Sequence, residues 1–197
     1  MSTNGIAVAA AAAAAAAVAA YTALAYTDSL RKQRVGKQAI EDLKSRYTLL
    51  PHPEGGFFAE TYRAESTVET SYGTRNASTA IYFLITPGSV SRLHKITADE
   101  CWHFYLGGPL TVLEISEDGT LTKTTLGQDK GQHVQYVVKA GTWFGSYPNK
   151  GTEYSFVGCT VAPGFDFSDF KLASRAGLCK QYPQHEKEIA RLTLGLP

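Results

Sequence analysis

From residue 57 onward, apolar and polar positions alternate in short runs, each ending at a turn residue. The runs cover 57–63, 78–86, 90–96, 100–106, 110–116, 120–126, 133–139, 142–147 and 153–162, and their spacing predicts β-strands. Pro87-Gly88, Gly107-Gly108-Pro109, Gly131, Gly141, Pro148-Asn149 and Pro163-Gly164 punctuate them, and Asp118-Gly119 predicts a tight hairpin. Nine short strands at near-regular spacing predict an all-β antiparallel sandwich or barrel. The flanks read differently. Ile40, Leu43 and Tyr47 fall on one stripe of a short helix over 38–47, stopped by the turn Pro51-His52-Pro53-Glu54-Gly55-Gly56. In the tail, Pro183 suits a first helical turn, and Ile189 and Leu192 share a face.

The first 26 residues hold 14 alanines and no charge. Residues 5–26 are long enough to span a bilayer, with only Thr22 polar. Alanine contributes little to insertion, however, and Ile6, Val8, Val18 and Leu24 together supply about −1 to −2.4 kcal/mol. If the segment spans, Arg31, Lys32, Arg34 and Lys37 hold the body on the cytoplasmic side. Ala23-Leu24-Ala25 fits a secretory cleavage site, but no basic residue precedes the run. The third reading is a low-complexity leader without a targeting role. The expected division is therefore an alanine-rich segment over 1–27, a basic linker over 28–38 and one domain over 39–197. The overall charge of +1 averages a basic linker with a slightly acidic body, which excludes a polybasic nucleic-acid binder. Three cysteines without a C-x-x-C pair, two of them in strand-like runs, favour a reducing, cytoplasmic setting for the body.

One stretch carries candidate chemistry. His94 stands on one predicted strand and Glu100 opens the next, so a tight reversal can aim both at one spot inside a barrel. The spacing Gly88-x5-His94-x-Ile96-x3-Glu100-x6-Gly107 resembles the first motif of the cupin superfamily. Lys139-Ala140-Gly141-Thr142-Trp143-Phe144 stands where the second motif carries Pro-x-Gly-x-x-His. The likeness is closer to one branch, filed as domain of unknown function 985. Its blocks are His52-Pro53-Glu54-Gly55-Gly56-Phe57-Phe58, Ser78–Leu84, Asp99–Tyr105 and Val157–Phe167, and the resemblance runs from about Ile40 to Leu172. It implies an RmlC-like antiparallel β-barrel, or jelly roll, with short flanking helices, and a homodimer.

The resemblance also implies two chemistries. Metal-binding cupins use three histidines and one glutamate. Carried over, only His94 and Glu100 survive, because Ile96 and Phe144 cannot ligate. His103 is the candidate third ligand for a divalent metal. Strand parity turns it away from Glu100, unless a β-bulge between 100 and 103 reverses its face. Metal-free cupins of the nucleotide-sugar epimerase type instead use histidine as base and tyrosine as acid. That reading makes His94 the base, oriented by Glu100, with Tyr82 or Tyr105 as acid. Trp102, Phe104, Tyr82, Trp143 and Phe144 would wall a pocket for a small polar, carbohydrate-like or nucleotide-sugar-like ligand, with His103 also in reach. A packed barrel core is the plainer account of these aromatics, and a structural pair the plainer account of His94 and Glu100. Glu54 either caps a turn or reaches the ligand, and Arg63 either binds an anionic group or sits exposed on a strand. His52, His133 and His185 show no partner pattern. A non-catalytic binding or storage-type cupin is the remaining expectation.

Overall fold

The computed structural model describes residues 3–193; within its first helix, side chains are described from residue 17 on, except at 32 and 33. The chain divides into two compact units, Met1–Ala39 and Ile40–Pro197. Helix α1, Thr3–Tyr47, occupies the first unit and ends in the second. Alanine is the strongest helix former, and residues 28–38, read as a linker, are helical as well. Among the described residues no helix is long and apolar enough to cross a membrane. Most of the alanine run, residues 5–16, lies outside the described side chains.

The second unit is the expected all-β architecture. Its strands are β1 Leu50–Pro51, β2 Phe57–Arg63, β3 Thr67–Thr70, β4 Gly73–Asn76, β5 Thr79–Ile85, β6 Ser91–Lys95 and β7 Asp99–Gly107. They continue with β8 Leu110–Ile115, β9 Leu121–Leu126, β10 Gln135–Val138, β11 Trp143–Pro148, β12 Ser155–Ala162 and β13 Lys171–Leu172. All nine predicted strands are present. The two-residue strands β1 and β13 and the polar hairpin β3–β4 were not predicted, because none carries an apolar alternation.

A six-stranded sheet, β1-β2-β5-β12-β7-β10, faces a five-stranded one, β13-β6-β11-β8-β9, through antiparallel neighbours in a jelly-roll arrangement. Phe83, Ile85, Ile96, Trp102, Leu110, Val112, Leu126, Phe144 and Val157 meet between them as the core. The outer face of the five-stranded sheet is covered too. Leu93, Leu113, Ile115 and Tyr147 pack against Leu178, Tyr182, Ile189 and Leu192 from helices α2 Arg175–Gln181 and α3 Glu186–Arg191 and the segments beside them. Burial on both faces explains why all six residues of β8 are buried. The end of α1 covers part of the six-stranded sheet's outer face, where Ile40, Leu43 and Tyr47 meet Tyr82, Leu84 and Phe156. The Asp118-Gly119 turn closes β8 onto β9 as expected, with Ile115 opposite Leu121.

Candidate functional site

The site is assembled where the turn after β1 meets β6. His52 N–H donates to Gly56 O at 3.1 Å, and Gly55 N–H to His52 O at 3.0 Å. Two glycines with positive φ make this turn possible, and a Cβ on Gly55 would stand 2.2 Å from Val90 O. The turn is thereby pressed against β6, and Glu54 enters the barrel beside His94. Glu54 Oε2 lies 3.2 Å from His94 Nε2, while Ser91 Oγ donates to Glu54 Oε1 at 3.0 Å. His94 Nδ1 lies 2.7 Å from Arg92 O, and a carbonyl only accepts, so Nδ1 carries the proton. That leaves Nε2 as the ring nitrogen that faces the Glu54 carboxyl. His52 has the other tautomer, because the Glu54 N–H donates to its Nδ1 at 3.3 Å.

Burial dominates the electrostatics. Desolvation raises the proton affinity of Glu54 and lowers that of His94, with Glu100 acting on His94 in the opposite sense. It also lowers that of His52, against the opposing pull of Glu54. Glu100, fully buried, is pushed up to about 7, chiefly by desolvation; His94 opposes this and Glu54 adds to it. The Cys159 thiol bonds to Glu100 and is raised well above the ordinary range, again by burial first. Burial therefore favours the uncharged forms of the two carboxyls and two imidazoles, and it brings Glu100 to about 7.

The cavity above them has a volume of about 70 Å³, room for about five water-sized positions. Phe58, Ile81, Val161, Phe165 and Phe167 form much of its apolar wall, and Glu60 and Arg63 also line it. A bulge in β2 puts that last pair in place. Glu60 pairs with Ile81, Tyr62 with Ala80 and Arg63 with Thr79, so the extra residue Thr61 turns both Glu60 and Arg63 inward. Arg63 then holds Glu60 through contacts of 2.9 and 2.7 Å, and donates to Phe165 O at 3.2 Å. The segment after β12 carries Phe165, Phe167 and Phe170, whose ring centroids lie 5.0–6.1 Å apart. Hairpin β3–β4 holds this segment from outside, with Arg75 bidentate to Asp169 at 2.7 and 2.8 Å.

Strand parity decides the fate of the other candidates. Register between β7 and β12 is unbroken from Asp99 to Phe104, and the shift falls at Tyr105, after the stretch that matters. Glu100, Trp102 and Phe104 therefore face the core, while Cys101, His103 and Tyr105 face outward. His103 bonds instead to Thr160 Oγ1 at 3.0 Å and Gln135 Nε2 at 3.1 Å, so it joins neither a metal set nor the ligand wall with His94. Tyr82 packs on Tyr47, 4.7 Å between centroids, and Tyr105 lies over Gly158, whose added Cβ would meet its hydroxyl. Both tyrosines occupy the face opposite His94, which removes them as the acid. Trp143 packs on the outer face of the five-stranded sheet with Lys95 over its ring, away from the cavity. Trp102 and Phe144 are closed into the core rather than lining the opening. Phe144 still backs the site, 4.1 Å from the His94 ring between centroids, and Trp102 Nε1 has no partner in the interior. Glu54 and Arg63 do line the cavity, as does His52, for which sequence reasoning found no partner, and Cys159, read only as a small buried hydrophobe.

Comparison with known proteins decides the family. The sequence profile of the Cupin superfamily (DUF985) matches residues 41–173. The chain belongs to that superfamily. A Saccharomyces cerevisiae cupin relative, the uncharacterized protein YML079W, is 32% identical over 148 residues, 66% of this chain and 73% of its own. The crystal structure of protein SO0799 from Shewanella oneidensis is 42% identical with a TM-score of 0.72, covering 77% of this cupin and 95% of that chain. A hypothetical protein from Leishmania major is 36% identical with a TM-score of 0.73, covering 77% and 97%.

The metal expected of histidine-rich cupins does not suit this barrel. Among the described residues, no group of three or more His, Cys, Asp and Glu side chains could hold a metal ion. His94 Nδ1 is committed to a carbonyl, its Nε2 faces Glu54, and Phe144 stacks where a further ligand would stand. The His94, Glu100 and His103 set fails on parity.

Proposed function

We propose that this cupin binds a small polar metabolite in the barrel cavity and moves a proton on it, as an isomerase or epimerase does, without a resident metal. The observation that carries this reading is the approach of His94 Nε2 to Glu54 Oε2, at 3.2 Å, with both side chains lining the cavity. A base works best when its proton affinity lies near the working pH, and burial has moved these groups toward one another. His94 with Glu54 takes the proton. Glu100, raised to about 7, replaces the tyrosines as the acid, because half of it is protonated at neutral pH. The cavity volume supports a small polar head group, with the rest of a carbohydrate-like or nucleotide-sugar-like ligand outside it.

Native mass spectrometry of the freshly purified full chain tests the reading. The wild type is expected to retain a small molecule that His94→Gln and Glu54→Gln release, while circular dichroism of both variants stays unchanged. Retention unaltered in both variants, or no retention and no binding from a metabolite extract, would sink it and leave a structural His94–Glu54 pair.

A further inference from the structure

Two carboxyls, Glu54 and Glu100, line the floor of the cavity. Glu54 and Glu100 are both buried, and among the described residues neither forms an ion pair with a lysine or arginine. Arg63 is already matched by Glu60 at the rim. The Arg92 guanidinium spends its hydrogen bonds on the carbonyls of Pro53 and Glu54 rather than on the Glu54 carboxylate. Arg92 acts on the Glu54 carboxyl only through its charge, while Ser91 Oγ donates to Glu54 and the Cys159 thiol to Glu100. The other neighbours are His52 and His94, each with one ring nitrogen committed to a backbone group. A buried carboxylate is costly unless a positive partner or a proton accompanies it. The phenyl rings of Phe58, Phe165 and Phe167 line the same cavity, and aromatic faces attract cations.

We infer that the ligand of this cavity carries a cationic nitrogen, a small alkylammonium or amidinium, seated between the Glu54 and Glu100 carboxyls with the phenylalanine rings around its carbon frame. The inference rests on the cavity being the ligand site and names the chemical class that the site selects. An anionic head, carboxylate or phosphate, meets two buried carboxyls at the floor and finds the rim arginine occupied by Glu60. A neutral alcohol can hydrogen-bond there but leaves the carboxylates uncompensated. The ammonium gives the buried carboxyls a positive partner and presents its α-carbon to the His94–Glu54 pair.

Three probes of equal size separate these cases: n-butylammonium, n-butanol and butyrate, titrated into the full chain. Binding is read from the ring C–H NMR signals of His52 and His94, assigned with His52→Gln and His94→Gln. Butylammonium is expected to shift both signals saturably and to bind at least about tenfold more tightly than either competitor. Glu54→Gln and Glu100→Gln should each erase most of that preference. Phe167→Ala, at a half-exposed position whose loss leaves the core intact, should weaken butylammonium more than butanol. If butanol or butyrate binds as well as the amine, the cation assignment fails while the cavity remains a ligand site. If none of the three moves the two signals, the cavity takes no small ligand head, and this inference and the binding reading fall together.

Discussion

Strand β7 runs the same chemistry along two faces, and the faces behave differently. Inward it presents Glu100, close to His94 and Cys159; outward, one, three and five residues further on, it presents Cys101, His103 and Tyr105. Each face has a histidine, a cysteine and a polar partner. Inside, water is excluded and the groups must satisfy one another, so Glu100 is displaced from 4.5 to about 7. Outside, His103 keeps neutral hydroxyl and amide partners, Tyr105 is partly exposed, and no charge has to be shared. Residue type alone therefore does not mark a site. The side of the sheet does.

The sharpest way to break this contrast is to truncate neighbours on opposite faces. Trp102→Ala removes a fully buried ring and is expected to cost about 3–5 kcal/mol in urea unfolding, while His103→Ala costs less than about 1 kcal/mol. Similar losses would mean that the outer face is covered as tightly as the core. A smaller effect comes from the Glu100 proton. Its folded proton affinity exceeds the unfolded one, so the folded state holds the extra proton and stability falls as pH rises from about 4.5 to about 7, then levels. The full loss is about 3 kcal/mol at most for a shift of this size. Glu100→Gln should flatten that slope, whereas Cys101→Ser, one residue away on the other face, should keep it. Unfolding free energies measured from pH 4 to pH 8 decide the point; a wild-type curve parallel to that of Glu100→Gln would refute the burial argument. The smallest effect is expected of Tyr82→Phe and Tyr105→Phe. Each should leave stability within about 0.5 kcal/mol and ligand retention unchanged. Loss of retention in either would return a tyrosine to the mechanism.

Much of the architecture is legible because it rests on local patterns. Alternation along 79–85, 91–95 and 99–107 requires one buried face, and the glycine turns between runs require reversals. The site is less legible, for a specific reason. His52 and Glu54 have no periodic context, and their partner, His94, is about forty residues away. What marks them is the run of turn residues around them: two glycines that tolerate positive φ let the loop come close to Val90. The blocks that carried the family resemblance already contained His52, Glu54, Phe58, Cys159, Phe165 and Phe167. Their convergence could have been suspected from that, but not their distances. Parity along β7 was also legible, and the unresolved question was where the bulge fell. It falls at Tyr105 in β7 and at Thr61 in β2, and neither position has a distinctive side chain.

Taken alone, the sequence determined the strand-rich body, the hairpin at Asp118-Gly119, the membership of His94 and Glu100 in one inward-facing set, and the absence of enough aligned histidines for the usual cupin metal site. Those follow from side-chain period and residue type, which act over a few residues. Only the tertiary structure decided that Glu54 rather than a tyrosine stands beside His94, that Arg63 pairs with Glu60, and that, among the described residues, no lysine or arginine forms an ion pair with the two buried carboxyls. These depend on which segments distant in the chain are pressed together and deprived of water. Desolvation of that kind belongs to the packed barrel rather than to any stretch of its sequence.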